Sequence, residues 1–130
     1  MDRLVATLHP YAVLFSSPVC SACFAELARL KVVSTGGAGF SDAFRAANAP
    51  YVYNQGMGST QIAQQFADLW CHKLTSQRGS GRTATFAGAE NPAQDFRTRP
   101  RVLGVIGTND PDAEATVQNV LYPALRRGCG

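Results

Sequence analysis

The feature that most constrains this chain is the alternation of short, wholly apolar runs with amphipathic helical stretches. Residues 12–16 (Ala-Val-Leu-Phe-Ser) are apolar up to Ser16-Ser17-Pro18, the pattern of a buried strand running into a loop. A helix is predicted over residues 19–30, because Cys20, Cys23, Phe24, Leu27 and Leu30 recur on one face at helical spacing. Residues 31–34 read as a second strand, and Thr35-Gly36-Gly37-Ala38-Gly39 as a flexible loop. Ser41 is a natural cap for a short helical turn carrying Phe44 and Ala47, and residues 50–54 form a third strand-like piece in which Tyr51 and Tyr53 alternate.

The second half repeats the alternation. A helix capped by Ser59 is predicted to about Leu74, with Ile62, Ala63, Phe66, Leu69, Trp70 and Leu74 as its apolar stripe. Residues 77–82 form a loop, 83–87 a short strand and 88–100 a surface excursion. Residues 102–106 (Val-Leu-Gly-Val-Ile) read as a strand broken by Gly107. Asp110 caps the last helix with Pro111 at its first position. Ala113, Val117, Val120, Leu121 and Ala124 form the buried face, and Gly128 is its expected end. Short strands apolar on both faces, set between amphipathic helices, predict an α/β fold: a Rossmann-like parallel sheet flanked by helices. Gly56-Met57-Gly58 marks either a boundary or hinge, or an ordinary strand-to-helix loop.

Composition narrows the function classes. The chain has 130 residues, 45% hydrophobic and 16% charged, enough apolar material for a core and unlike a disordered protein. No apolar run approaches the ~18 residues of a membrane helix. Net charge is +3 with the 12 Lys and Arg scattered, which argues against a strongly cationic nucleic-acid or membrane-surface protein. Arg97, Arg99 and Arg101 alternate on one side of an extended segment, either as a basic edge or as solvated surface.

Four groups of residues invite a chemical reading. Cys20-Ser21-Ala22-Cys23, between a strand and a helix, is where thioredoxin-like proteins place a redox pair, the helix N-terminus making the first thiol nucleophilic. Against that, no obvious segment supplies the cis-proline loop of that fold, and two small residues on a buried helix face explain the same spacing. A metal site from Cys20, Cys23, Cys71 and His72 is disfavoured because adjacent helical side chains diverge by about 100°. The glycines of residues 36–39 and 56–58 complete neither dinucleotide nor P-loop motif, yet they let a ligand approach the backbone at strand ends. The carboxylates (Asp42, Asp68, Glu90, Asp95, Asp110, Asp112, Glu114) fall at helix starts, loops and exposed positions. His9 and His72 complete no Ser–His–Asp arrangement, so no catalysis, cofactor or metal is expected.

The order of these pieces resembles type I periplasmic solute-binding proteins, the branched-chain amino-acid receptors of ABC transporters. The resemblance runs over residues 12–17, a helix, and Lys31-Val32-Val33-Ser34-Thr35-Gly36. It continues through Pro50-Tyr51-Val52-Tyr53-Asn54, the Gln-rich stretch 58–66, and Arg101-Val102-Leu103-Gly104-Val105-Ile106-Gly107-Thr108-Asn109-Asp110. It implies pieces of a two-lobe fold, residues 1–55 from the first lobe and 56–130 from the second, as an internal fragment without the family's signal peptide. It also implies non-catalytic capture of a small amino-acid-like solute between lobes, delivery to an ABC permease, and a periplasmic or extracellular location. The ligand loops then fall on Ser16, Ser17 and Pro18 and on Ser34, Thr35, Gly36, Gly37 and Ala38, with Tyr53 near the crossover; Gly-Gly-Ala stands where relatives often carry a Thr.

The four cysteines permit two disulfides and fit free thiols equally well. Helices running back along a right-handed α/β arrangement finish at the same sheet end. Neighbouring helices would therefore bring Cys71 and Cys129 within bonding reach, and an exported receptor meets the oxidising conditions that favour such a bridge. Cys20 and Cys23 would stay reduced or pair with each other.

Overall fold

A computed structural model describes residues 2–15, 20–36, 39–74 and 103–129. It is an α/β structure with a three-stranded parallel sheet. In chain order the elements are α1 (Asp2–Leu8), β1 (Ala12–Phe15), α2 (Ser21–Arg29), β2 (Val33–Gly36), α3 (Asp42–Ala47), β3 (Val52–Tyr53) and α4 (Ser59–Leu69). A π-helical turn, Trp70–Leu74, continues α4. After it come α5 (Pro111–Thr116), a second π turn (Val117–Leu121) and α6 (Tyr122–Cys129). The strands lie in the order β1-β2-β3, with Val13 opposite Ser34 and Ser34 opposite Val52.

The second strand begins two residues later than its sequence pattern predicts, because the end of α2 consumes them. Val32 donates its N–H to Leu27 O at 2.9 Å and Lys31 donates to Ala28 O at 3.0 Å, while Lys31 sits in the left-handed region at φ 59°. Those two bonds close the helix in a Schellman turn, a place glycine usually takes. Gly36, predicted as loop, instead ends β2 opposite Phe15 at φ 112°, and a β-carbon there would collide with the Phe15 carbonyl.

Two separate apolar cores form among the described residues. The first lies between the sheet and the α2 and α3 helices: Phe24, Phe40 and Val52, flanked by Phe15, Ala28 and Phe44. Four phenylalanine rings run through it in a row, Phe15–Phe24–Phe40–Phe44, with centroids 4.5, 4.5 and 4.8 Å apart. The opposite face of the sheet is open: Leu14 and Tyr53 are 67% and 52% exposed, level with Thr35 between them. The second core is helical, Ala63, Ala67 and Leu121 packed with Phe66, Val117, Val120, Ala124 and Leu125. There α4 and the α5–α6 run lie parallel, because Ser59 meets Thr116 at one end and Cys71 meets Cys129 at the other.

Several expected details differ. Gly58, rather than Ser59, is the N-cap of α4, and the Ser59 hydroxyl is 2.9 Å from Thr116 Oγ1. The stripe of α4 is narrower than the apolar pattern, leaving Ile62 and Leu69 half exposed. The final helix passes through Gly128 to Cys129, and a β-carbon at Gly128 would meet Cys71 Sγ at 3.4 Å, an ordinary contact. Residues 103–106 form no strand: no described strand lies beside them to satisfy their backbone, and Ile106 is fully exposed. The predicted strand over 83–87, the loop over 77–82 and Arg97, Arg99 and Arg101 lie outside the described residues. Among the described residues, no helix is long and apolar enough to cross a membrane.

Candidate functional site

Parallel strands deliver their loops, and the N-termini of the helices that follow, to one edge of the sheet, where open α/β folds bind ligands. Here α2 follows β1 and α3 follows β2, so both start at that carboxyl edge. A helix start presents unpaired N–H groups that attract anions. Both starts are met by carboxylates from the second core. Asp110 Oδ2 accepts from the Ser21 N–H at 2.9 Å, while its Oδ1 accepts from Asp112 and Ala113 at the start of α5. Asp112 reaches α3: Oδ2 accepts from the Ser41 N–H at 2.9 Å and Oδ1 from the Ser41 hydroxyl at 2.5 Å. Ser41 in turn accepts from the Phe44 N–H, the N-cap bond expected from sequence.

Asp110-Pro111-Asp112 thus joins three helix starts. Burial raises the Asp110 carboxyl, but the Ser21 N–H and hydroxyl, with the N–H groups of Ala113 and Asp112, outweigh it and hold the group below its ordinary value. Asp112, at the helix start expected from sequence, is buried, and its two oxygens are both used by Ser41. Hydroxyls complete the seam: Thr60 Oγ1 accepts from the Asp42 N–H at 3.0 Å, and Ser59 pairs with Thr116. Asn54 seals the exit of β3 by accepting from the Phe40 N–H and donating to Phe40 O.

Of the ligand residues expected from sequence, Ser34, Thr35, Gly36 and Tyr53 lie among the described residues. Ser34 is fully buried, and its hydroxyl donates to Tyr51 O at 3.2 Å, a bond between neighbouring strands. Thr35 and Tyr53 are register partners on the open sheet face. Gly36 ends β2 at the carboxyl edge, beside the last residue of β1. Tyr53 also borders an open hollow of about 430 Å³ with Asp42, Arg45 and Pro50. Ser16, Ser17, Gly37 and Ala38 lie outside the described residues. Sequence reasoning missed the joint role of Asp110 and Asp112. The Asp-Pro-Asp helix start was legible, but its partners stand 89 and 71 residues away.

All four cysteines are in disulfides. Cys71–Cys129 links the ends of the two parallel helices across 58 residues, with Cα atoms 4.9 Å apart. Cys20–Cys23 lies within the first turn of α2, with Cα atoms 5.2 Å apart. Cys20 is the N-cap of that helix, and its Sγ accepts from the Cys23 N–H at 3.2 Å. The cis peptide Ala49–Pro50 precedes β3, whereas Cys20 follows β1, so in these parallel strands the two stand at opposite sheet ends. Among the described residues, no three His, Cys, Asp or Glu side chains converge as a metal site would require. Compared with known proteins, the chain matches no family model, no curated protein and no solved structure.

Proposed function

We propose that the chain is a non-catalytic solute-binding unit of the type I periplasmic-binding-protein kind, serving an ABC importer at the periplasmic or cell-surface side of a membrane. On this reading the sheet core belongs to a first lobe and the helical core to a second. The solute, a small amino-acid-like molecule, sits at the carboxyl edge against the loops after β1 and β2. Ser17, Thr35 and Gly36 make its contacts, with Tyr53 at the rim, while Ser34 serves the sheet. The observation that carries the reading is the seam itself: N–H groups at the carboxyl edge already hold carboxylates brought by the other core. Opening about residues 54–58, where Gly56 stands in free space, would release the Ser21 N–H from Asp110 for a solute carboxylate.

The test is an amide NMR titration with leucine, isoleucine and valine, with a neutral sugar as control. The reading expects saturable shifts from millimolar amino acid, concentrated at Ser21, Thr35, Gly36 and Asp110. Shifts absent at saturating solubility, or scattered evenly over the surface, overturn it.

A further inference from the structure

The two disulfides do unlike things. Cys71–Cys129 ties together distant parts of the chain, and Cys71 is 1% exposed. Cys20–Cys23 ties together residues that α2 already holds, since Cys23 and Phe24 both donate their N–H to Cys20 O, at 2.9 and 3.2 Å. The bridge therefore adds little to the constraint already present. Both its residues are only partly buried, at the carboxyl edge of the sheet. A Cys-x-x-Cys pair at a helix start has lowered thiol pKa values, because unpaired N–H groups stabilise the thiolate. Here the Cys23 N–H, shared with Cys20 O, also donates to Cys20 Sγ at 3.2 Å.

We propose that Cys20 and Cys23 are a thiol–disulfide exchange site whose substrate is a low-molecular-weight thiol of the glutathione class. The thiolate of such a molecule attacks Cys23 Sγ. The Cys20–Cys23 bond breaks, and Cys20 leaves as the thiolate held at the start of α2. A second thiolate attacks the mixed disulfide, forms the small-molecule disulfide and releases Cys23. Two electrons pass from the two small thiols to the protein pair, whose sulfurs take up the two protons. Asp110 tunes the exchange. Its carboxylate lies on the Ser21 N–H, one residue from Cys20, so a thiolate at Cys20 meets a like charge at the same helix start. The first turn of α5, which Asp110 caps, carries two further acidic groups, Asp112 and Glu114. The inference does not rest on the solute-binding reading.

The experiment equilibrates the native full-length chain in glutathione buffers of graded ratio, traps thiols by alkylation at low pH, and assigns them by mass spectrometry. The expected result is reduction of Cys20–Cys23 at a ratio at least about 100-fold more oxidising than Cys71–Cys129 requires, with the circular dichroism spectrum unchanged. Asp110→Asn should raise the alkylation rate of Cys20 at neutral pH several-fold and move its rate–pH profile to lower pH, a readout that a purely structural cap would not shift. The proposal is overturned if Cys20–Cys23 resists glutathione until urea unfolds the chain, if both pairs reduce together, or if Asp110→Asn leaves the profile of Cys20 in place. Should Asp110→Asn fail to fold, the wild-type titration alone decides between the first two outcomes and the proposal.

Discussion

Removing the Cys71–Cys129 bridge is the sharpest test of how the helical core is held. The double variant Cys71→Ala/Cys129→Ala frees a span of 58 residues in the unfolded chain, for which the chain-entropy relation gives about 4 kcal/mol. Losing the buried sulfur at position 71 leaves a small void and adds on the order of 1 kcal/mol. Total stability for a domain of this size is roughly 5–15 kcal/mol, so the loss is a large fraction of it. In thermal terms it corresponds to a fall in Tm on the order of 15 °C. The same relation gives only about 2 kcal/mol for the three-residue separation of Cys20 and Cys23, and the helix already supplies part of that constraint. Urea unfolding of the wild type, the Cys71/Cys129 variant and Cys20→Ser/Cys23→Ser, compared at a common slope, separates the two bridges. A Cys71/Cys129 variant within about 1 kcal/mol of wild type, or a larger loss from the Cys20/Cys23 variant, would refute the reasoning.

The remaining expectations concern single residues. Gly36→Ala should cost about 3 kcal/mol or prevent folding, since it combines a positive φ with a β-carbon driven into the Phe15 carbonyl, whereas Gly128→Ala should be neutral or gain about 0.5 kcal/mol; thermal melts of the pair check the contrast. Lys31→Gly should stabilise by up to about 1 kcal/mol by relieving the left-handed residue that closes α2, and a loss on urea unfolding would count against the Schellman assignment. Asp112→Ala should destabilise by roughly 2–3 kcal/mol because it removes the acceptor of the Ser41 N–H and hydroxyl, while Ser41→Ala in the same background should cost only the about 1 kcal/mol of its cap on the Phe44 N–H, a coupling that a double-mutant cycle measures. Asp110 has a folded-state pKa below its unfolded one, so its contribution is present above the unfolded value and is lost as pH falls through the folded value. Acid titrations of stability should therefore be flatter for Asp110→Asn than for wild type at acid pH, with equal slopes overturning the assignment.

How far the sequence carried depends on whether a signal is local. The strand–helix alternation of residues 12–54 was legible because each piece buries its own apolar residues within a few positions: Phe24 and Leu27 on α2, Val52 on β3. The N-caps Ser41 and Asp110 were legible because the capping bond spans two or three residues. The second half was harder. Residues 103–106 carry the composition of a strand, but pairing is a property of neighbours, and none of the described strands lies beside them. Helix α1 went unread, for Asp2–Leu8 buries nothing and so carries no amphipathic pattern; Arg29 of α2 reaches Asp2 at 2.9 Å and ties it down by one exposed ion pair. At the candidate site the bond of Ser34 to Tyr51 and the burial of Asp112 against Ser41 were not legible, because those partners stand 17 and 71 residues away.

The parallel clasp of α4 and α6 also decides how the molecule answers to force. Pulled from either side, the chain transmits tension along residues 2–71, crossing the short Cys20–Cys23 bridge on the way, then across the second sulfur–sulfur bond and out at Cys129. The 58 residues of separation beyond Cys71 never enter the load path, which shortens the extended contour by about 200 Å at the full reach of a polypeptide. The sheet core would unravel strand by strand, while the α5 and α6 helices feel the pull through their packing on α4 and through the seam of Asp110 and Asp112. A translocating unfoldase that grips the amino end would meet the same geometry as a branched, double-thickness chain at Cys71, and a reductant would return the missing length.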